Sequence, residues 1–367
     1  MAKIAASLPL FPILDQSPDP PVLTGIARMA AEATVIDQGH EIDFRPLPVR
    51  SILNHVNSRR GFSFARSINP YRGCEFGCRY CYARYTHEFM ELRDPYAFER
   101  QVYMKENAAW LLQQELKTLR PEEDIAIGTA TDPYQPIERD AKITRSLLEV
   151  LSTQRGLRIG LVTKSTLVLR DIDLLQRIRE HNSITLNVTI TTLDTKLARI
   201  LEPRAPRPDL RLKAIAKLRR AGLRAGVLCC PLLPGLTDTY AAIDSVATGA
   251  KQAGASFFHA NPLFLKPCSK TVFEEFIAKN FPELLASYRQ RFEDRAFVST
   301  AYRKRVMQLV EAIKKKHGWG GNPGERFSRR QELRAAQMEM QYPRPSAPGR
   351  AQTLLNEPSR KFPAARA

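Results

Sequence analysis

The sequence lacks the features of several common protein classes. None of its 367 residues lie in an apolar run of the roughly 20 residues that a membrane-spanning helix needs. It has no phosphate-binding glycine loop, no dinucleotide-binding fingerprint and no pattern of a hydrolytic triad. The first 14 residues include Pro9 and Pro12 but no cleavage site, so we interpret them as a flexible arm and not as a signal peptide. With 43% hydrophobic and 26% charged residues, the composition is that of a globular protein.

Negative charge is also scarce. The net charge is +18, which favours nucleic acid or another polyanion as a partner. Residues 326–367 hold nine Lys and Arg against three Asp and Glu, and so carry six of these eighteen charges. We expect this basic tail, residues 323–367, to be disordered, since it is rich in proline and alanine. The other charges are spread over predicted helices, where Lys and Arg also keep a surface hydrated.

The order of predicted elements indicates an α/β fold. Residues 1–60 carry seven prolines and little periodicity, so we expect an N-terminal extension with little regular structure. From Ser67 onward, short β-rich runs alternate with amphipathic helical patterns, as in βα repeats on a parallel sheet. Six such units occupy about 200 residues, whereas a complete eight-unit barrel needs about 250. We therefore predict a partial (β/α)6 TIM-like barrel over residues 61–265 and C-terminal helices over residues 266–322.

Hydrophobic periodicity gives the positions of these elements. The strands are predicted at residues 67–71, 124–130, 158–164, 184–192, 225–231 and 256–262. Their near-continuous apolar runs suit a sheet that is buried on both faces. The helices are predicted at residues 104–118, 143–154, 210–221, 272–279, 282–291 and 300–317. Asp171 and Asp238 are predicted N-caps of the helices that follow them.

Only six cysteines occur, yet Cys74, Cys78 and Cys81 fall within eight residues. The C-x3-C-x2-C spacing lets one loop bring three thiolates to an iron–sulfur cluster, and a [4Fe-4S] cluster with three cysteine ligands keeps one iron open. A zinc site with His87 as fourth ligand is the alternative, because spacing alone fits several metals. Disulfides are disfavoured, since three cysteines this close cannot pair without strain. Free thiols indicate a reducing cytoplasm.

This triplet, with Tyr80 directly before its third cysteine, resembles the signature of the radical SAM superfamily. Residues 69–84 (NPYRGCEFGCRYCYAR) are similar to a bacterial branch of that superfamily related to spore photoproduct lyase and often labelled DNA repair photolyase. Residues 131–136, 163–165, 202–204 and 231–235 are similar to that branch as well. The resemblance spans about residues 65–317. It implies a partial (β/α)6 barrel, a [4Fe-4S] cluster and reductive cleavage of S-adenosylmethionine to a 5′-deoxyadenosyl radical.

The resemblance, together with position at the predicted strand ends, implies roles for individual residues. Cys74, Cys78 and Cys81 are the expected cluster ligands. The expected cofactor contacts are Tyr80 near the adenine; Gly128, Thr129, Thr131 and Asp132 near the ammonium; Lys164 and Ser165 near the carboxylate or ribose; Thr189 and Thr191 near the ribose; and Arg204 with a carboxylate. Each also has a structural interpretation, since Asp-Pro pairs are common in turns and threonine is common in strands.

Three residues are weaker catalytic candidates. Cys229 and Cys230 are adjacent on a predicted strand, and alternation aims one of them inward, where it would return a hydrogen atom to a product radical. Buried thiols are more often inert core residues. His87 is a candidate for proton transfer. The chain departs from spore photoproduct lyase, which has a hydrogen-donating cysteine after the cluster motif, because no cysteine lies between Cys81 and Cys229.

The sequence therefore predicts a cytoplasmic radical SAM enzyme, a lyase or a radical transferase, that receives electrons from a flavodoxin- or ferredoxin-type protein. The positive charge and the resemblance favour nucleic acid as the substrate. Modification of a protein or a small metabolite is the alternative. A zinc-stapled nucleic-acid-binding protein without catalysis is the rival from another class.

Overall fold

The computed structural model describes residues 23–33, 37–39, 41–56, 64–119 and 124–319. The predicted arm at residues 1–14 and the basic tail at residues 323–367 lie outside the described residues. The described strands are β1 Asp37–Gly39, β2 Ile42–Pro46, β3 Leu53–His55, β4 Arg66–Ile68, β5 Tyr71–Arg72, β6 Gln101–Met104, β7 Asp124–Ile127, β8 Arg158–Thr163, β9 Ser183–Thr189, β10 Arg224–Leu232 and β11 Phe258–Pro262. The α-helices are α1 Gly25–Glu32, α2 Ala97–Arg100, α3 Ala108–Glu115, α4 Glu138–Ala141, α5 Ile143–Ser152, α6 Ile172–His181, α7 Thr195–Leu201, α8 Pro208–Arg220, α9 Tyr240–Gln252, α10 Pro267–Asn280, α11 Leu285–Arg291 and α12 Thr300–Lys316.

The larger sheet has the strand order β11-β10-β9-β8-β7-β4-β3. Six of these strands run parallel, and β3 pairs antiparallel with β4 at one edge. The described strands at the two edges, β3 and β11, do not pair with each other, so the sheet does not close. This arrangement confirms the predicted α/β fold with a partial barrel.

All six predicted barrel strands are present, with shifted ends. The first differs most, because β4 ends at Ile68 and β5 pairs with β6 in another sheet. Pro70 lies between β4 and β5 and has no backbone N–H to donate to a ladder. The strand β7 ends before Gly128, whose φ of 84° is left-handed and unsuited to a strand.

A second sheet, in the order β1-β2-β6-β5, was not predicted from the sequence. Its β2 pairs parallel with β6 and antiparallel with β1. Ala30 of α1 packs with Leu47, Met90 and Tyr103 in a small core beside this sheet. The expectation of little regular structure in residues 1–60 is therefore wrong for the described part of that segment. Its elements are too short for periodicity to reveal them.

Helices cover one face of the larger sheet. Strand residues such as Ile127, Leu161 and Leu186 are fully buried there against Leu147 of α5 and Leu218 of α8. The three helices predicted after Pro262 are present as α10, α11 with a 3-10 turn at Pro282–Leu284 before it, and α12. No helix among the described residues is long and apolar enough to span a membrane.

Neither predicted N-cap acts as one. Asp171 precedes α6, but its carboxylate makes no capping hydrogen bond and pairs instead with Arg145 at 2.6 Å and Arg170 at 2.9 Å. The N-cap of α9 is Thr239, whose hydroxyl accepts from the Ala242 N–H. Asp238, one residue earlier, accepts a hydrogen bond from the hydroxyl of Tyr302. Both carboxylates are therefore used by partners other than the first N–H groups of the helices that follow them.

The other face of the larger sheet carries mostly small or polar side chains, and we call it the open face. The register places Val162, Asn187 and Gly226 in one row across β8, β9 and β10. Strand alternation then assigns these residues to the same face: Gly160, Lys164, Thr185, Thr189, Thr191, Leu228, Cys230, His259 and Asn261. His259 and Asn261 are exposed. The expectation of a sheet buried on both faces is therefore wrong for this side, which borders a solvent-accessible space.

Candidate functional site

The cysteine loop, residues 73–82, follows β5 and begins at a position that only glycine fits. Gly73 has a φ of 89°, and a Cβ there would lie 2.6 Å from the carbonyl oxygen of Gln101. The Cys74 N–H donates to the Phe98 carbonyl at 3.0 Å. These contacts fix the start of the loop against the segment that leads into β6.

The three thiols of this loop lie in apolar surroundings and form no disulfide. Cys74 and Cys78 are 8% and 6% exposed. Burial raises the pKa of all three thiols, to about 12 for Cys78. Thiolates at these positions therefore need a compensating cation, which a metal centre provides. Three free thiols on one loop, two of them buried and that of Cys81 partly exposed, fit that requirement.

A single metal ion does not fit the described residues. They contain no group of three or more His, Cys, Asp or Glu side chains arranged to hold one ion. One zinc ion draws its sulfur ligands close together, with bonds of about 2.3 Å, whereas each thiolate of an iron–sulfur cluster binds a different iron. His87 is 1% exposed, its Nε2 lies 2.9 Å from the Gln101 carbonyl oxygen, and burial lowers its pKa to about 4. The zinc alternative thus gains no support.

A buried polar network holds Tyr80 from behind. Its hydroxyl donates to Glu202 and lies 3.1 Å from the Thr191 hydroxyl. Glu202 pairs with Arg211 at 2.5 Å, and these side chains are 3% and 1% exposed. Burial would raise the pKa of Glu202, but the charges of Arg211 and Lys164 outweigh burial and lower it. The sequence analysis did not identify Glu202 or Arg211 as supports of Tyr80, although Glu202 lies in one of the segments that resemble the family.

The turn after β7 lies against the cysteine loop. At Gly128, a Cβ would meet Pro133 and the Val162 carbonyl, each at 2.6 Å. Thr129 receives two hydrogen bonds, one from Asn69 to its hydroxyl and one from the Tyr82 hydroxyl to its carbonyl. The glycine therefore permits close packing between strands, and Thr129 joins the turn to the residue after Cys81.

Thr131 and Asp132, both buried, tie the same turn to its neighbours. The Thr131 hydroxyl donates to the Gly73 carbonyl at 2.6 Å. Asp132 accepts from the Thr163 hydroxyl at 2.7 Å and from the Lys164 N–H at 2.6 Å. Both side chains are used within the scaffold, and they connect the cysteine loop, β7 and β8.

Lys164 and Ser165 point to opposite sides of the rim. The Lys164 Nζ lies 5.7 Å from the centroid of the Tyr80 ring. Burial alone would lower the pKa of Lys164, but Cys78 and Glu202 outweigh burial and raise it, so the amine stays charged. The buried Ser165 hydroxyl instead accepts from the Leu167 N–H at 3.1 Å. Of the two, Lys164 is the side chain available to a bound molecule.

Arg204, the predicted partner of a cofactor carboxylate, binds backbone groups within the protein. Its Nη1 donates to the backbone carbonyls of Glu75 at 2.9 Å and Glu99 at 3.3 Å, which clamps the cysteine loop. Gln135 has a similar role that the sequence did not reveal. It is fully buried, accepts from the Glu75 N–H at 2.9 Å and donates to the Thr131 hydroxyl at 3.1 Å. In the sequence, the position of this polar residue between Pro133 and Pro136 was the only indication of a structural role.

The adjacent cysteines of β10 face different environments. Cys229 is fully buried in the apolar core against the helices. Cys230 is partly exposed on the open face. Burial raises its pKa to about 12 despite opposing effects of Asn261 and Lys164. Thr189 and Thr191 are buried on the same face, where the Thr189 carbonyl accepts from Arg211 at 3.0 Å.

Comparisons with known proteins agree with this geometry. The sequence matches the Radical SAM superfamily over residues 68–244. An uncharacterized protein of Mycobacterium tuberculosis is 31% identical over 308 residues, which cover 83% of this chain and 90% of the relative. An uncharacterized protein of Methanocaldococcus jannaschii is 29% identical over 249 residues, 68% of this chain and 86% of the relative.

Solved structures with the same fold include spore photoproduct lyase. A variant of that enzyme with bound AdoMet and dinucleoside spore photoproduct has a TM-score of 0.58 at 16% identity, over 82% of this chain and 85% of that one. Spore photoproduct lyase complexed with dinucleoside spore photoproduct has a TM-score of 0.57 at 16% identity over the same shares. At this identity the likeness establishes the fold. The matched segment contains the cysteine loop, and the mycobacterial relative aligns over most of this chain. The chain therefore belongs to the radical SAM superfamily.

Proposed function

We propose that this protein is a radical SAM enzyme in which Cys74, Cys78 and Cys81 hold a [4Fe-4S] cluster. The observation that carries the proposal is that three free thiols on one loop, two of them buried, lie at the rim of a polar sheet face. When bound, the cluster supplies the electron that cleaves S-adenosylmethionine to a 5′-deoxyadenosyl radical, which takes hydrogen from the substrate. A flavodoxin- or ferredoxin-type protein is the proposed electron source.

The protein's own side chains position the cofactor. Lys164 carries its charge beside Tyr80 and suits the carboxylate of S-adenosylmethionine. Tyr80 is held rigid through Glu202 and Arg211, so its ring presents a fixed surface to the adenine. Thr131 and Asp132 act by holding the rim in shape, since their side chains are already bonded.

Cys230 is the side chain that suits hydrogen return to a substrate radical. It is a thiol on the open face, whereas Cys229 points into the core. A hydrogen atom passes from the Cys230 sulfur to the substrate carbon and leaves a thiyl radical. One electron from the reductant protein and one proton then restore the thiol.

Nucleic acid is the substrate class that we propose. The net charge of +18 favours a polyanion. The open-face residues named above include Lys164 and His259 but no Asp or Glu. Asn187 donates from its amide nitrogen to the Leu161 carbonyl at 3.2 Å, which leaves the amide oxygen as an acceptor for a base edge. A base in a duplex would first have to be extruded to reach this face.

The cluster is tested by anaerobic reconstitution of the wild type, Cys78→Ala and Cys268→Ala. Cys268 is a partly exposed cysteine of α10, outside the cysteine loop, and serves as the control. Wild type and Cys268→Ala should bind iron and sulfide in cluster stoichiometry and form 5′-deoxyadenosine with dithionite. Cys78→Ala should lose both properties. A colourless wild-type protein that forms no 5′-deoxyadenosine would disprove the proposal.

Hydrogen return is tested in deuterated buffer, where thiol hydrogens exchange with solvent. Product made by wild type and by Cys229→Ala should contain deuterium, while Cys230→Ala should give unlabelled product or none. Equal labelling by all three proteins would remove Cys230 from this role.

The substrate class is tested by binding of oligonucleotides at several salt concentrations. No binding, or binding that does not depend on salt, would argue for a protein or metabolite substrate instead.

A further inference from the structure

A cavity of about 330 Å³ opens beside the cysteine loop, and we call it the arginine cavity. It is lined by Phe76 of the loop and by the segments that follow β7, β8 and α7. Arg139, Arg170 and Arg204 are its charged lining residues, and no Asp or Glu lines it. Ser165 lines this cavity whereas its neighbour Lys164 belongs to the open face, so the two spaces lie on either side of one rim.

Arg170 is a fixed wall of the cavity. It donates to Glu138 at 2.7 Å and to Asp171 at 2.9 Å, and both carboxylates are fully buried. Arg145 pairs with Asp171 as well, at 2.6 Å. Arg145 also pairs with Asp173 at 3.0 Å, so both guanidinium groups are surrounded by carboxylates and Arg170 adds little free charge to the cavity.

The other two arginines of the lining form no ion pair with the described carboxylates. Arg204 uses Nη1 on backbone carbonyls, which are neutral. The nearby Glu75 carboxylate forms no ion pair with Arg204 and accepts instead from the Ile137 N–H at 2.7 Å. Arg139 is exposed on α4, and its guanidinium group makes no ion pair or hydrogen bond with any described residue. The cavity thus presents two guanidinium groups beside the hydroxyl of Thr166, the donors that a phosphate group accepts from.

We propose that the arginine cavity binds a phosphate of the substrate strand, an inference that rests on the nucleic-acid substrate proposed above. The cavity is at the lower end of the size range of small-molecule sites, which suits one phosphate with part of its sugar. A phosphate anchored there fixes the strand at the rim, from which a neighbouring base reaches the open face. Phosphate contacts of this kind position a nucleic acid without reading its sequence.

The test compares Arg139→Gln with the control Arg220→Gln. Arg220 is an exposed arginine at the end of α8 that does not line the cavity. Anisotropy of a labelled single-stranded DNA is measured over a series of salt concentrations, with thermal melting as the check of folding. Arg139→Gln should bind about tenfold more weakly at low salt and lose about one unit of slope in log K against log salt. Arg220→Gln should keep the wild-type slope.

The outcomes separate the two proposals. If Arg139→Gln matches the wild type in affinity and slope, the cavity proposal is wrong and the nucleic-acid substrate stands. If the wild type binds no nucleic acid, both are wrong, while 5′-deoxyadenosine formation by the same preparation still reports the radical chemistry. A loss of slope in Arg220→Gln equal to that in Arg139→Gln would also overturn the cavity proposal, because binding would then be spread over the surface.

Discussion

Replacing Lys105 with methionine should remove a specific dependence of stability on pH. Lys105 is 5% exposed, and its Nζ donates to the Asn69 carbonyl at 2.7 Å. Burial, with a smaller effect of Arg72, lowers the pKa of Lys105 from 10.5 to about 7, although Glu115 opposes the shift. The folded protein therefore holds this proton more weakly than the unfolded chain does.

The size of the effect follows from that shift. One pKa unit corresponds to 1.36 kcal/mol, so the charged form of Lys105 costs about 5 kcal/mol when fully protonated. Because the unfolded state binds more protons between about pH 7 and pH 10.5, the free energy of unfolding rises with pH across that window. Between pH 7 and pH 9 the gain from this residue is about 2 kcal/mol.

Urea unfolding followed by circular dichroism at pH 7 and pH 9 measures this gain. Lys105→Met should be more stable than the wild type at pH 7, and the difference should shrink by about 2 kcal/mol at pH 9. Lys117→Met, which changes an exposed lysine of the same region, should keep the pH dependence of the wild type. An identical pH dependence in Lys105→Met and wild type would refute the reasoning.

Three further substitutions test the scaffold around the cysteine loop. Gly73 and Gly156 both have positive φ, but only at Gly73 would an added Cβ clash with neighbouring atoms. Gly73→Ala should therefore lower the free energy of unfolding by at least about 2 kcal/mol more than Gly156→Ala in thermal unfolding. Equal losses would contradict this. Asp132→Asn should cost about 2 kcal/mol, since one amide group cannot accept at both of its ends, and an unchanged melting temperature would remove it as a link between strands. Arg211→Met should lower the free energy of unfolding by about 3–5 kcal/mol, because Glu202 would stay buried without its ion-pair partner. Adding Glu202→Gln to this variant should restore part of that loss. Additive losses would show that the two side chains do not interact.

The sequence by itself determined the thiol set and the fold class. Cys74, Cys78 and Cys81 are close along the chain, so their spacing alone brings them onto one loop. The alternation of strands and helices is equally local, since hydrophobic periodicity follows from the geometry of each element. Six parallel strands and the helices that follow them could therefore be predicted, with errors where Pro70 and Gly128 interrupt a strand.

Only the tertiary structure decided which side chains are free to act. The sequence suggests Asp132 and Arg204 as cofactor contacts, and only the folded chain shows that Asp132 and the Nη1 of Arg204 also bond to neighbouring segments. The pairing of Glu202 with Arg211, and the exposure of Cys230 in place of Cys229, depend on how α7, α8 and β10 are set against the sheet. Such contacts follow from register and packing between distant segments, which spacing along the chain does not encode.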